Sequence, residues 1–95
     1  MPAYIIFTKE RSRDPAASRR YLEQHDAFIK GHALTYRARF GRCEVLEGAA
    51  TEGVAILEFP TYEEAKAWYH SPAYQKASAD RYLGGDYRAI LVEGV

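Results

Sequence analysis

Hydrophobic and polar positions along this chain switch between a period of two and a period near four, which marks strands alternating with helices. AYIIFTKE (3–10) is short, β-branched and aromatic, and reads as a strand with both faces at least partly covered. RSRDPAA then opens a helix over 15–30. Asp14 suits its N-cap, and Pro15 suits the first helical position, where the missing N–H costs nothing. Ala17, Ser18, Tyr21, Leu22, His25, Phe28 and Ile29 fall on one face of that helix, Arg19, Glu23, Asp26 and Lys30 on the other, and Gly31 ends it. ALTYRARF alternates strictly, with Leu34, Tyr36, Ala38 and Phe40 on one side and Thr35, Arg37 and Arg39 on the other. CEVLEG continues the pattern past a bulge expected near Gly41, giving a strand over 33–47. GAATEG (48–53) is a turn, and VAILEF returns as a strand over 53–59.

PTYEEAKAWY starts a second helix over 61–70, where Thr61 and Glu64 match a capping box that satisfies two free backbone donors. Ala65, Trp68 and Tyr69 share one of its faces. Ser71-Pro72 pairs an N-cap with an N1 proline, so this helix stops near His70 and another runs over 72–82, with Tyr74, Ala77, Ser78 and Arg81 aligned. Two glycines at 84–85 then read as a turn into a last strand over 86–93. The order is βαββαβ with its second helix broken: an α+β, ferredoxin-like antiparallel sheet with helices on one face.

Composition narrows the class. Residues 1–95 make one domain, too small to hold two. Thirteen Lys and Arg balance thirteen Asp and Glu, so the chain lacks the basic excess of a nucleic-acid-binding protein. KERSR (9–13) is the one basic cluster, and it reads as a solvated strand end. A single cysteine, Cys43, excludes an internal disulfide and a multi-cysteine zinc site. MPAYIIFTKE has no basic leader and an apolar run too short for a signal peptide or membrane span, so a soluble cytoplasmic protein is expected.

The chain resembles the DUF1330 family of dimeric α/β-barrel proteins. The resemblance rests on VLEG (45–48), LEFP (57–60), AKAWYHSPAY (65–74) with Arg81, and the closing LVEG (91–94), which together span the chain. There is one departure: the family's second strand carries an Arg-Gly-Gly motif, and here Phe40 stands between Arg39 and Gly41. The family has no established activity, so the resemblance implies a fold and a homodimer more than a function. The dimer suits the pattern. Helices on one face leave the other bare, and apolar side chains there, from among Ile5, Phe7, Ile56, Ile90 and Val92, need cover from a second copy.

Candidate chemistry gathers on inward faces. His25 lies between Tyr21 and Phe28, either as a hydrogen-bonded core histidine or as a general acid/base in a cleft between helix and sheet. His32 and His70 lie at helix ends with no metal-ligand spacing, so no metal and no cofactor is expected. Arg39 and Glu58 are nearly equidistant from the 48–53 turn, which suggests a cross-strand ion pair, or an anion clamp in which Glu58 orients Arg39. Trp68, Tyr69 and Tyr74 are core or pocket wall, and Arg81 adds positive charge level with Tyr74. A site would therefore form where His25, Tyr36, Trp68, Tyr74 and Arg81 converge, with Arg39 as a further ligand-binding residue. No hydrolytic triad and no phosphate-cradling loop is present. Three readings follow. The first is a protein binding a small anionic or aromatic ligand, which superfamily resemblance extends to a cofactor-independent enzyme. The second is a non-catalytic dimerisation module, and the third, implied by superfamily resemblance alone, is a haem-handling protein.

Overall fold

The computed structural model describes Met1 to Val95. Its elements are β1 (Ala3–Ser12), α1 (Pro15–Glu23), α2 (His25–Ile29), β2 (Thr35–Arg39), β3 (Gly53–Phe59), α3 (Tyr62–Tyr69), α4 (Pro72–Gly84) and β4 (Gly85–Glu93). The strands form one antiparallel sheet in the order β2-β3-β1-β4, and the fold is ferredoxin-like. Local signals set the helix starts as the residues suggest. The Asp14 carboxylate accepts from the Ala16 N–H at 2.9 Å ahead of Pro15. Ser71 accepts from the Tyr74 N–H at 3.3 Å while its own hydroxyl donates to the Trp68 carbonyl at 2.7 Å. One serine thus closes α3 and opens α4.

The core lies between sheet and helices. Ala3, Ile5 and Phe7 of β1 and Ala55, Leu57 and Phe59 of β3 pack against Phe28, Ala65, Trp68, Tyr74 and Ala77. Ile5 and Phe7 therefore belong to the helix-facing side, not to the open face expected of them. YIIF is apolar at every position, so alternation alone does not say which half points inward. The open face carries Ile6 instead, in register with Ile56 on one side and Ile90 on the other, and Ala38 extends that row across β2. Ile90 and Val92 are 42% and 44% exposed there.

Further corrections concern boundaries and registers. The helix expected over 15–30 is two segments, because Gln24 turns: its N–H reaches the Tyr21 carbonyl at 3.2 Å. The Gln24 amide also donates to Asp80 of α4 at 2.9 Å, a tertiary tie that no helical periodicity encodes. β2 ends at Arg39 rather than near residue 47, since Phe40 takes a positive φ of 54° and turns the chain out of the sheet. Residues 43–47 are not a strand; Val45 and Leu46 are exposed. The bulge falls between Tyr36 and Ala38, at Arg37, not near Gly41. The Thr61 hydroxyl accepts from the Glu64 N–H at 3.1 Å, but the Glu64 carboxylate faces that same hydroxyl at 3.4 Å, so only half of the capping box forms. No turn separates α4 from β4 at 84–85. Gly84 is the last helical residue, and a Cβ there would lie 2.5 Å from Ser18 Oγ, so glycine permits the close approach of α1.

Candidate functional site

The bulge at Arg37 reorganises β2. It inserts one residue between Tyr36, opposite Leu57, and Ala38, opposite Ile56, so Arg39 comes opposite Ala55 on the helix-facing side. Strict alternation places Tyr36 and Arg39 on opposite faces; the bulge brings them together, and the Arg39 guanidinium lies 4.6 Å from the Tyr36 ring centroid. The expected Arg39–Glu58 pair is not formed. Arg37 takes Glu58 instead on the open face, its Nη2 3.1 Å from the carboxylate, which holds the Glu58 carboxyl below its usual range. Arg39 is left free of acidic partners.

Tyr36 also meets α2. His25 Nε2 and the Tyr36 hydroxyl share a hydrogen bond at 2.8 Å, and the two rings stack at 5.6 Å with 26° between their planes. Burial raises the Tyr36 pKa, and the Arg39 charge works against that rise. The other His25 nitrogen, Nδ1, lies 3.4 Å from the fully exposed Asp26 carboxylate.

Arg81 of α4 is the most unusual side chain in the molecule. It is 3% exposed, yet its guanidinium has no carboxylate partner and its Nε has no hydrogen-bond acceptor. Three aromatic rings surround it instead, Phe7 at 5.1 Å, Tyr82 at 4.7 Å and Tyr87 at 5.2 Å. Its charge also opposes the rise that burial imposes on the Tyr74 and Tyr87 phenols, with Tyr74 pushed up to about 12.

These groups surround a cleft of two adjoining chambers. The inner one, about 50 Å³, is walled by His25, Phe28, Tyr36, Arg39, Ala55 and Arg81, among others. The outer one, about 140 Å³, adds Lys9 and Ser18 and shares Tyr21, Leu22, Phe40, Arg81 and Tyr87 with the first. No Asp or Glu lines either chamber, whereas Lys9, Arg39 and Arg81 all do.

His25, Tyr36, Arg39 and Arg81 are thus brought to one cleft. Trp68 and Tyr74 lie a layer deeper, both 0% exposed and outside its lining. Trp68 Nε1 donates to the Phe28 carbonyl at 2.9 Å, and the Tyr74 hydroxyl bonds that of Tyr21 at 2.9 Å, so both back the wall. Sequence reasoning missed Lys9, Phe40 and Tyr87. Lys9 and Tyr87 are partners in the β1–β4 register, on the same side as Phe7, so correct parity for β1 finds them. His32 and His70 stand outside this cleft. No helix is long and apolar enough to cross a membrane.

Residues 2–95 match the family model described as "Domain of unknown function (DUF1330)". The chain matches no curated protein. Among solved structures it resembles a protein of unknown function from Rhodopseudomonas palustris, with a TM-score of 0.70 and 18% identity over 99% of this chain and 82% of that one. A dimeric ferredoxin-like protein of unknown function from Jannaschia sp. CCS1 superposes with a TM-score of 0.72 and 14% identity, over 99% of this chain and 100% of that chain. SnoaB, a cofactor-independent oxygenase from Streptomyces nogalater, gives 0.67 at 9% identity, over 99% of this chain and 93% of the other. At these identities the likeness is one of fold.

Proposed function

Because this chain belongs to the DUF1330 family, a family without a defined activity, its chemistry has to be read from the cleft, and we propose that it binds a small organic anion there, working as a homodimer. One observation carries this reading: Arg81 is buried with no carboxylate beside it and with Nε unsatisfied. A guanidinium withdrawn from water needs an anion or a full set of acceptors; this one has the Tyr69 and Tyr74 hydroxyls near it but no anion, and its Nε has no acceptor. Arg39 and Lys9 add charge of the same sign to a cleft without acidic residues, in a chain whose thirteen cations and thirteen acids balance overall. In this reading Arg81 clamps a carboxylate, Arg39 assists it, and Tyr36 with His25 offers the polar contact that fixes orientation. Trp68 and Tyr74 hold the wall in place. If turnover follows binding, His25 is the residue to carry the proton, with no cofactor required.

The volumes favour a small ligand, since chambers of about 50 and 140 Å³ fall below the roughly 300–1,000 Å³ of drug-sized sites. A haem macrocycle has no room in them. The dimerisation-module reading expects His25, Trp68 and Arg81 all to be fully engaged by protein groups; Trp68 and His25 are, whereas Arg81 has aromatic rings and tyrosine hydroxyls about it but no acceptor for its Nε. Dimerisation itself is supported by the open row Ala38–Ile56–Ile6–Ile90, which a second copy covers by twofold symmetry, and by relatives described as dimeric.

Titration with a series of small carboxylates, followed by calorimetry and thermal shift, tests the binding. Saturable stabilisation in the parent and none in Arg81→Met is expected; a parent that responds to no carboxylate refutes the reading. Light scattering should return twice the 10.8 kDa chain mass, and a monomer would refute the dimer.

A further inference from the structure

The two chambers differ in size and in chemistry, and Arg81 stands in the wall they share. The outer one, about 140 Å³, is close to the ~150 Å³ of a cavity that accommodates benzene. Tyr21, Leu22, Phe40 and Tyr87 give it flat apolar walls. The inner one, about 50 Å³, cannot take a ring but has space for a small polar substituent. At its end the hydrogen bond between Tyr36 and His25, 2.8 Å long, uses one proton and one lone pair. When Tyr36 donates to His25 Nε2, the Tyr36 oxygen still has a lone pair to accept a hydroxyl proton from a ligand. The Arg39 guanidinium, 4.6 Å from the Tyr36 ring centroid, adds positive charge to the same wall.

We infer that the cleft is built for a hydroxylated, single-ring aromatic carboxylic acid, its carboxylate on Arg81, its ring in the outer chamber and its hydroxyl on the Tyr36–His25 pair. This rests on the anion-binding reading above and adds the ligand class. Three features select it together: a ring-sized aromatic chamber, a buried cation with no carboxylate partner and an unsatisfied Nε, and a hydrogen-bonded pair in the wall of a space too small for anything larger than a substituent.

Isothermal titration of the intact protein with benzoate, each hydroxybenzoate isomer and the matching methoxybenzoates tests it, in the parent and in Tyr36→Phe and His25→Gln. The parent should bind at least one hydroxybenzoate up to about tenfold tighter than benzoate, the worth of one neutral hydrogen bond. The methoxy analogue, which has no proton to donate, should lose that gain. Tyr36→Phe should bring the hydroxybenzoate-to-benzoate ratio to about one. Thermal melts identify a variant that has merely lost its fold, and His25→Gln, whose amide oxygen can still accept the Tyr36 proton, should keep the preference. Equal, Arg81-dependent binding of benzoate and every hydroxybenzoate overturns this inference and leaves the anion reading standing. So does a preference that survives in Tyr36→Phe. Failure of every carboxylate to bind the parent overturns both.

Discussion

Replacing Arg81 with methionine should leave the ligand-free protein as stable as the parent, or more so, while abolishing its response to anions. The balance follows from the surroundings of the side chain. Three aromatic rings at 4.7 to 5.2 Å favour the desolvated guanidinium by up to about 2 kcal/mol each. Against this stand the cost of holding a charge at 3% exposure, several kcal/mol for an ion taken out of water, and about 1–3 kcal/mol for the unsatisfied Nε. Methionine keeps the length and apolar volume, fits irregular space, and removes both penalties. A gain of about 0–2 kcal/mol is expected. In a chain of this size each kcal/mol moves the melting midpoint by about 4–8 °C, well within calorimetric resolution. Protomer concentration must be held fixed, because the midpoint of any dimer depends on it.

The second half of the experiment is the anion. At a hundredfold excess over Kd a ligand stabilises the parent by about 2.7 kcal/mol, and the methionine variant should show none of it. Arg81→Met destabilising the protein by more than about 2 kcal/mol would mean that the arginine is structural, and a variant that keeps the anion-induced shift would mean that the anion binds elsewhere. Either result refutes the reasoning.

Ile6→Lys places a cation in the middle of the open isoleucine row, so light scattering should report a folded 10.8 kDa monomer; a dimer that persists would show that this face is not the interface. Burial holds the Tyr21 phenol far above its ordinary value of 10.0 and pushes Tyr74 up to about 12. Above about pH 10 the unfolded chain then releases protons that the folded one keeps, so stability is full below about pH 10 and declines as pH rises towards the folded-state values. Tyr21→Phe should flatten that alkaline limb in a melting-point profile, and a parent whose midpoint does not fall between about pH 9 and 11 would contradict the assignment. Phe40→Gly removes about 1–2 kcal/mol of left-handed backbone strain but adds about 0.4–1 kcal/mol of unfolded-state entropy. Its denaturation midpoint should stay within about 1 kcal/mol of the parent's, while the cleft admits bulkier acids than the parent accepts; unchanged size selectivity would remove Phe40 from the mouth.

Order and type of the elements were legible because three of the helix starts carry their own chemistry, Asp14-Pro15, Thr61 with Glu64, and Ser71-Pro72. Parity was legible only where a strand alternates. YIIF is apolar throughout, and the face that β1 turns inward is decided by the β1–β3 register, a long-range property. Gln24 divides the first helix through a bond to Asp80, fifty-six residues away, which a local window does not contain. The cleft was half legible. His25 and Arg81 lie on helix faces that a helical projection finds directly, and Tyr36 follows from alternation. Arg39 does not, because a single bulged residue reverses every assignment beyond it.

That bulge is what makes the cleft more than a gap between layers. With regular pairing, Arg37 would not be an extra residue, Arg39 would project to the open face, and the Tyr36 ring would have no cation over it. With the bulge, Arg37 serves the open face by pairing with Glu58, and Arg39 serves the cleft. The next residue completes the change of direction. Phe40 adopts the backbone region that suits glycine and holds to the sheet by donating its N–H to the Val54 carbonyl at 2.8 Å. Its ring lies over Gly53, where a Cβ would come within 2.7 Å of Cδ1, and borders both chambers at 47% exposure. A strained, half-exposed aromatic residue at a position where glycine costs nothing contributes little to stability. It narrows the entrance to a cationic, aromatic cleft, which is the effect expected of a residue that selects ligands by size.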